Sequence, residues 1–298
     1  MIKLIALTAF ALAAFAFNSI LCRLALRSGE IDAAGFTLVR LVSGAVALVI
    51  LAFLCRSPRV SKGVTSNALV MPLLTRGLLH FGNWPSAFFL FAYAICFSFA
   101  YLCLTAGTGA LVLFGSVQIT MIGFSIFRGE RPSALELLGV LVAICGLVYL
   151  VLPGLVAPPL FNAALMAAAG VAWGFYTLRG KGSGDPLAET TGNFVRSVPM
   201  IVLTAIPFLD GLHLSTRGAL LAVLSGALAS GVGYSVWYAA LKYHTATRAA
   251  VLQLAVPVIA AVGGVVLLAE SAGMRLAISA FLILGGIGVS IASRSRAR

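Results

Sequence analysis

Two arginines stand inside apolar phrases, Arg40 in "TLVRLVSGAV" (37–46) and Arg196 in "NFVRSVPMIV" (193–202). A guanidinium is always charged and presents five donors in a planar fork, so in hydrocarbon it is expensive unless something binds it. Two roles are open to each. One is a structural charge at a gate or helix interface, its long stem snorkelling to a membrane face. The other is a ligand for a substrate carboxylate. Aromatic side chains offer a second chemistry. Tyr93, Phe97 and Tyr101 recur every four residues, Tyr234, Trp237, Tyr238 and Leu241 trace one helical face, and Trp173 and Tyr176 stand three apart. Such stripes are ordinary packing or interfacial belts, or they wall a cavity where buried Tyr hydroxyls and Trp N–H groups find polar partners. The amides Asn18, Gln118 and Gln253 serve to orient a ligand or to bond helix to helix. The substrate-site hypothesis joins Asn18, Tyr93, Phe97, Tyr101, Gln118, Trp173, Tyr176, Tyr234, Trp237 and Tyr238, with Arg40 and Arg196 as gate or interface charges.

Other chemistries lack their residues. The eight carboxylates (Glu30, Asp32, Glu130, Glu136, Asp185, Glu189, Asp210, Glu270) all fall in loops or close to span ends. A proton-coupled pump places an acid deep in the membrane, and a cation pump needs one as counter-charge. Their absence favours neutral, zwitterionic or weakly anionic solutes, moved by facilitated diffusion or exchange. His80 and His244 are left as candidates for a titrating step. No Gly-x-Ser-x-Gly elbow, histidine–acid pair or P-loop is found, which argues against a hydrolase or a nucleotide-driven pump and leaves no catalytic residue to name. The five cysteines (Cys22, Cys55, Cys96, Cys103, Cys145) form no Cys-x-x-Cys pair and have no histidine beside them. They read as small packing residues, so neither a metal nor a cofactor is expected.

The elements that must position these groups are membrane spans. Of the 298 residues 61% are hydrophobic and only 9% charged, too few charges to cover a soluble protein of this length. Ten apolar runs, 3–22, 33–55, 84–104, 107–127, 133–152, 160–178, 188–209, 217–241, 246–268 and 273–292, are each long enough to cross a bilayer as a helix. The expectation is an all-α membrane protein. The formal charge of +12 does not mark a nucleic-acid binder, because the basic residues sit at span ends. With a cytoplasmic N-terminus, fourteen Lys and Arg fall inside and four (Arg23, Arg27, Arg217, Arg275) outside. That bias puts both termini in the cytoplasm of a bacterial-type inner (plasma) membrane. The first span resembles a signal peptide but has no convincing cleavage site, so it is read as retained.

Laid over itself, the chain shows why one phrase occurs twice. A shift of 156 sets Arg23, Val39, Arg40 and Val42 on Arg179, Val195, Arg196 and Val198. A shift of 137 lays "YLCLTAGTGA" over "YAALKYHTAT", and one of 140 pairs Glu130 with Glu270. These matches divide the chain into two five-helix repeats, 1–152 and 157–298, joined by "PGLVAPP", with an extra cytoplasmic stretch near 60–83 in the first. Five crossings reverse the side of the membrane, so the second repeat enters inverted. Inverted repeats around a midplane site are the architecture of alternating-access transporters. Gly170-x-x-x-Gly174 adds a close-packing motif between helices.

Several features together resemble the EamA type of the drug/metabolite transporter superfamily: Trp173-Gly174 in the sixth span, "ALKYHTATRAAVLQLAVPVIAAVGGVVLLAES" (240–271), and "GERPSALELLGVLVAICGLVYL" (129–150). The resemblance covers nearly the whole chain, and its nearest branch is the YddG-like amino-acid exporters. It implies a transporter for a small molecule in a lipid bilayer, with no nucleic acid and no obligatory protein partner. Amino acids, aromatic ones included, are the expected cargo. A channel-like pore, or carriage of amphipathic drugs or nucleotide sugars, is the alternative. Phe17-Asn18 stands in the first repeat where Trp-Gly stands in the second, a departure from strict symmetry.

Overall fold

The computed structural model describes residues 2–27, 29–56, 81–104, 106–129, 133–151, 159–211, 213–268 and 274–295. His80, Glu130, Glu270, most of "PGLVAPP" and most of the 60–83 stretch lie outside the described residues.

Backbone groups in hydrocarbon have no water to bond and must pair within their own segment, so a chain of this composition folds into helices. Among the described residues no strand forms beyond an isolated antiparallel bridge between Ile31 and Leu214. The helices are α1 (Ile2–Arg27), α2 (Ala33–Arg56), α3 (Trp84–Ala100), α4 (Ala106–Phe127), α5 (Ala134–Val151), α6 (Leu160–Gly180) and α7 (Pro186–Ala205). They continue with α8 (Thr216–Leu224), a π-helical segment (Ser225–Val232), α9 (Gly233–Leu241), α10 (Ala246–Gln253), α11 (Ala255–Leu268) and α12 (Met274–Ser295). Four stretches, Ile2–Leu26, Ala33–Cys55, Leu160–Gly180 and Thr216–Leu241, are long and apolar enough to cross a membrane, and shorter apolar helices include Trp84–Ala100 and Ala134–Gly146.

Capping sets several helix starts. Asn83, Asp185, Ser215 and Thr245 each accept a hydrogen bond from the backbone N–H three residues on, which satisfies an otherwise orphaned donor. Several boundaries differ from the apolar runs, α1 among them, which continues to Arg27. The third helix ends at Ala100, and 101–104 turn out of it. The seventh passes into a 3-10 turn at Ile206–Gly211, where Pro207 removes a donor. The eighth run is one helix with a π segment inside it. The ninth breaks at Leu254, whose N–H bonds back to Val251 at 3.0 Å, three residues before Pro257.

Packing follows the small residues. A Cβ on Gly170 would meet the Leu113 carbonyl oxygen at 2.5 Å, and one on Gly174 the Thr120 methyl at 2.9 Å, so this pair lets α6 lie directly on α4. The other face of α6 packs on α3, α2 packs on α7 and the π segment, α1 on α9 and α11, and α5 along α12. The outer surface carries large apolar side chains such as Phe127, Phe161 and Phe281, the inverse of a water-facing surface.

Candidate functional site

Arg40 does not snorkel. It is 0% exposed, and its Nε donates to Ser230 Oγ at 3.0 Å while Nη2 donates to Tyr234 Oη at 2.7 Å and Tyr93 Oη at 3.4 Å. Its guanidinium carbon stands 5.3 Å from the centre of the Tyr93 ring and 5.5 Å from that of Phe97, over their negative faces. Nη1 is buried with no partner. Among the described residues no carboxylate pairs with it. Hydropathy located the residue along its helix but not around it: α2 turns Arg40 inward, toward α3 and the π segment.

That segment supplies hydroxyls. Ser230 receives the Arg40 bond, and Ser225 donates to Asn18 Oδ1. Asn18 Nδ2 donates in turn to Tyr93 Oη at 3.4 Å, so α1, α2, α3 and α9 meet through one polar network. The extra residue of a π turn aims these side chains, a device common where function needs a local change of register.

Aromatic rings enclose the network. Trp173 stands 4.9 Å from Tyr93 and 4.7 Å from Tyr234 between ring centres, and its Nε1 donates to Gln253 Oε1. Phe15 meets Trp173, Tyr234 and Trp237 edge-on at 5.1, 5.6 and 5.6 Å. Of the residues singled out in the sequence, Asn18, Tyr93, Phe97, Trp173 and Tyr234 come together here with Arg40. Others sit one layer back. Trp237 lies behind Phe15 with its N–H unpaired, and Tyr101, in the turn after α3, packs edge-on to Phe97 at 4.7 Å. Tyr238 donates to the Tyr176 carbonyl at 2.9 Å, and the two rings lie tilted with their centres 5.1 Å apart between α6 and α9. Gln118 is spent elsewhere, donating to the Ala250 carbonyl at 2.6 Å across α4 and α10. The sequence reading passed over Phe15, Ser225 and Ser230. Phe15 precedes Asn18 by three residues, the spacing of one helical face, and that was the available signal.

Arg196 plays a different part. Its Nη1 donates to the Phe81 carbonyl at 2.7 Å and the Gly192 carbonyl at 3.0 Å, holding the residues before α3 against α7. Beside it Arg179 donates to Ser86 and Asn83, both at 2.9 Å, and Asn193 accepts from the Asn83 N–H at 3.0 Å. The opposite end of the bundle is tied by Glu30 to Ser215 and Arg217, by Asp32 to the His213 N–H, and by the Ile31–Leu214 bridge. His244, in the turn after α9, is 9% exposed and shares a 3.2 Å hydrogen bond with Thr8. Burial, then the nearby Arg248 charge, push its imidazole down to about 4, so it is neutral at physiological pH.

With both ends tied, the void walled by Phe15, Ser19, Tyr93, Phe97, Trp173 and Tyr234 holds only about 20 Å³. Small-molecule sites run to roughly 300–1,000 Å³. The void is therefore too small for a solute in this structure. An outer groove of about 340 Å³ between α1, the π segment and α11 is walled by Phe10, Phe17, Leu228, Ile259 and alanines. Among the described residues it has no polar side chain to orient a solute.

A polar and aromatic cage thus lies inside a bundle of apolar helices, and comparison with known proteins relates the chain to membrane transporters. Residues 160–292 match the EamA-like transporter family. An uncharacterized protein of Pseudomonas aeruginosa is 47% identical over 97% of this chain and 94% of its own length. An uncharacterized transporter of Archaeoglobus fulgidus is 29% identical over 64% of this chain and 70% of its own. A crystal structure superposes on 97% of the chain and 98% of its own, with a TM-score of 0.73 at 21% identity, a likeness of fold. The chain is a multi-pass membrane protein, and the family matched by its second half points to transport of a small molecule rather than to an enzyme.

Proposed function

We propose that this protein is an alternating-access transporter of ten spans, arranged as inverted five-helix repeats over 1–152 and 157–298. Its cargo is small neutral or zwitterionic metabolites, foremost amino acids including aromatic ones as in the YddG-like exporters. It exports them across a bacterial-type inner membrane by facilitated diffusion or exchange, with both termini cytoplasmic. The observation that carries the reading is the aromatic cage beside Arg40, whose void is only about 20 Å³, in a bundle tied by hydrogen bonds at each end. A site with ties at both ends is what alternating access requires, because opening either side means breaking one set of ties. Helix pairing supports the repeats. Exchanging the halves sends α3-on-α6 to α1-on-α9, α4-on-α6 to α1-on-α11, and α3-on-α7 to α2 on α8 and the π segment, while α2–α7, α4–α10 and α5–α12 map onto themselves. The absence of an acid in the cage among the described residues supports a cargo that is not a cation.

The test is uptake into liposomes carrying purified protein, screened over amino acids, quaternary amines and nucleotide sugars. Saturable uptake of phenylalanine with counterflow is expected. Flux that neither saturates nor shows counterflow would make the protein a channel, and flux confined to quaternary amines would reverse the cargo assignment.

A further inference from the structure

We infer that Arg40 is the anchor for a carboxylate on the transported molecule, and that the Tyr93 and Tyr234 hydroxyls are place-holders which that carboxylate displaces. This deepens the transport reading and rests on it for the site, though not for the identity of the cargo. A buried ion is costly unless it is paired and hydrogen-bonded. Here the compensation is incomplete: Ser230, Tyr234 and Tyr93 satisfy Nε and Nη2 with neutral oxygens, and Nη1 has no partner. Arginine's planar fork matches a carboxylate with two parallel N–H···O bonds, so the vacant Nη1 beside Nη2 offers one such edge. Tyr93 and Tyr234 are also the residues most easily spared. Their hydroxyls lie 3.5 Å from each other and can bond together, or with water, once they leave the guanidinium.

The surroundings select further. The guanidinium lies over the Tyr93 and Phe97 rings, and both rings line the void, as do Trp173 and Phe15. A cargo held by its carboxylate at Arg40 therefore lays its other end among aromatic faces. Those faces accept an aromatic or branched apolar group and take an α-ammonium by cation–π attraction. No acid in the cage, among the described residues, competes for the arginine or demands an ammonium. The site requires the carboxylate and only tolerates the amine.

The experiment uses the full-length protein in detergent, reading Trp fluorescence and thermal unfolding, with acids paired against their amides: 3-phenylpropionate with 3-phenylpropionamide, and phenylalanine with phenylalaninamide. Wild type should bind each acid at least about tenfold tighter than its amide, the scale of a charge-assisted hydrogen bond. Arg40→Gln should bring each pair within about twofold, and Arg40→Lys, which keeps the charge without the fork, should fall between. Acid and amide bound alike by wild type would overturn the inference whether or not the variants fold. So would a wild-type preference that survives in folded Arg40→Gln. The two readings fail separately. Phenylalanine uptake in liposomes without acid selectivity leaves the transport reading standing and removes the anchor. Acid selectivity for 3-phenylpropionate without amino-acid uptake keeps the anchor and moves the cargo to other carboxylates.

Discussion

Replacing Gly226 by alanine probes how the π segment presents its serine to Arg40. A Cβ there would run into the Arg40 carbonyl oxygen and Ser43 Oγ, and would stand 2.8 Å from the Arg40 carbonyl carbon. Ordinary contact begins near 3.4 Å, so α2 and the π segment must part by at least about 0.6 Å, against backbone that has no rotamer to escape into. The Arg40–Ser230 bond, now 3.0 Å, then stretches to about 3.6 Å, beyond hydrogen-bonding range. Overpacking of a tight core costs about 1–3 kcal/mol, and a buried donor left without its acceptor about 1–3 kcal/mol more. Gly226→Ala should thus lose roughly 2–6 kcal/mol of stability and most of its transport. Gly123→Ala is the control: nothing lies within 4 Å of a Cβ at that position, so the better helix propensity of alanine should leave it neutral or slightly more stable. Unfolding by SDS in mixed micelles gives the difference. Equal stability and transport in the two variants would refute the claim that this close approach holds Ser230 against the arginine.

Arg196→Gln should slow transport of every cargo alike, by severalfold in initial uptake rate, because it loosens the Phe81 tie; a loss confined to carboxylates would make Arg196 a ligand instead. For His244 the folded value of about 4 lies below the usual 6.5, so folding favours the neutral ring. The stability this confers is present above pH 6.5 and lost as pH falls from 6.5 toward 4, and His244→Gln should flatten that part of a melting-against-pH curve while leaving transport between pH 6 and 8 unchanged. A reporter fused after Arg298 should read as cytoplasmic, and a periplasmic signal would sink the proposed orientation and the inverted repeat with it.

Much of the helical framework was legible because hydropathy acts along the chain axis, and the breaks at Pro207 and Pro257 follow from a missing donor. What lies around each helix axis was harder to read. The Tyr93 ring of that stripe stands 6.4 Å from the Tyr234 ring, but Tyr101 leaves the stripe because α3 ends one residue earlier. Arg40 and Arg196 occupy equivalent phrases, yet one faces the core and the other a loop carbonyl. The π segment had no clear signature, since "SGALASGV" has the Gly and Ser of any closely packed membrane helix. The i→i+5 turn is imposed by what it packs against. For the same reason nothing in the sequence singles out Ser225 and Ser230, although their hydroxyls close the polar network.

The divergence of the two arginines says what kind of symmetry the protein keeps. In the proposed inverted repeat, an identical pair would place two charges at equivalent depths and give the cage either two anchors or none. Here Arg40 reaches side chains on α3 and α9, whereas Arg196 turns back to the carbonyl of Gly192, four residues earlier on its own helix, and to that of Phe81. The local cause is visible. Gly226 lets the π segment press against α2 and deliver Ser230, and Phe194 stands between Arg196's helix and the cage, its ring 6.0 Å from Tyr234. In the proposed transporter, backbone symmetry would let one half rock against the other, and side-chain asymmetry would give the cargo a single orientation. A carboxylate bound at one arginine, with its apolar end among Trp173, Phe15 and Tyr234, has a head and a tail. The cage then needs no second charge, and the matching position in the other repeat is free to serve as a tie between α7 and the entry to α3.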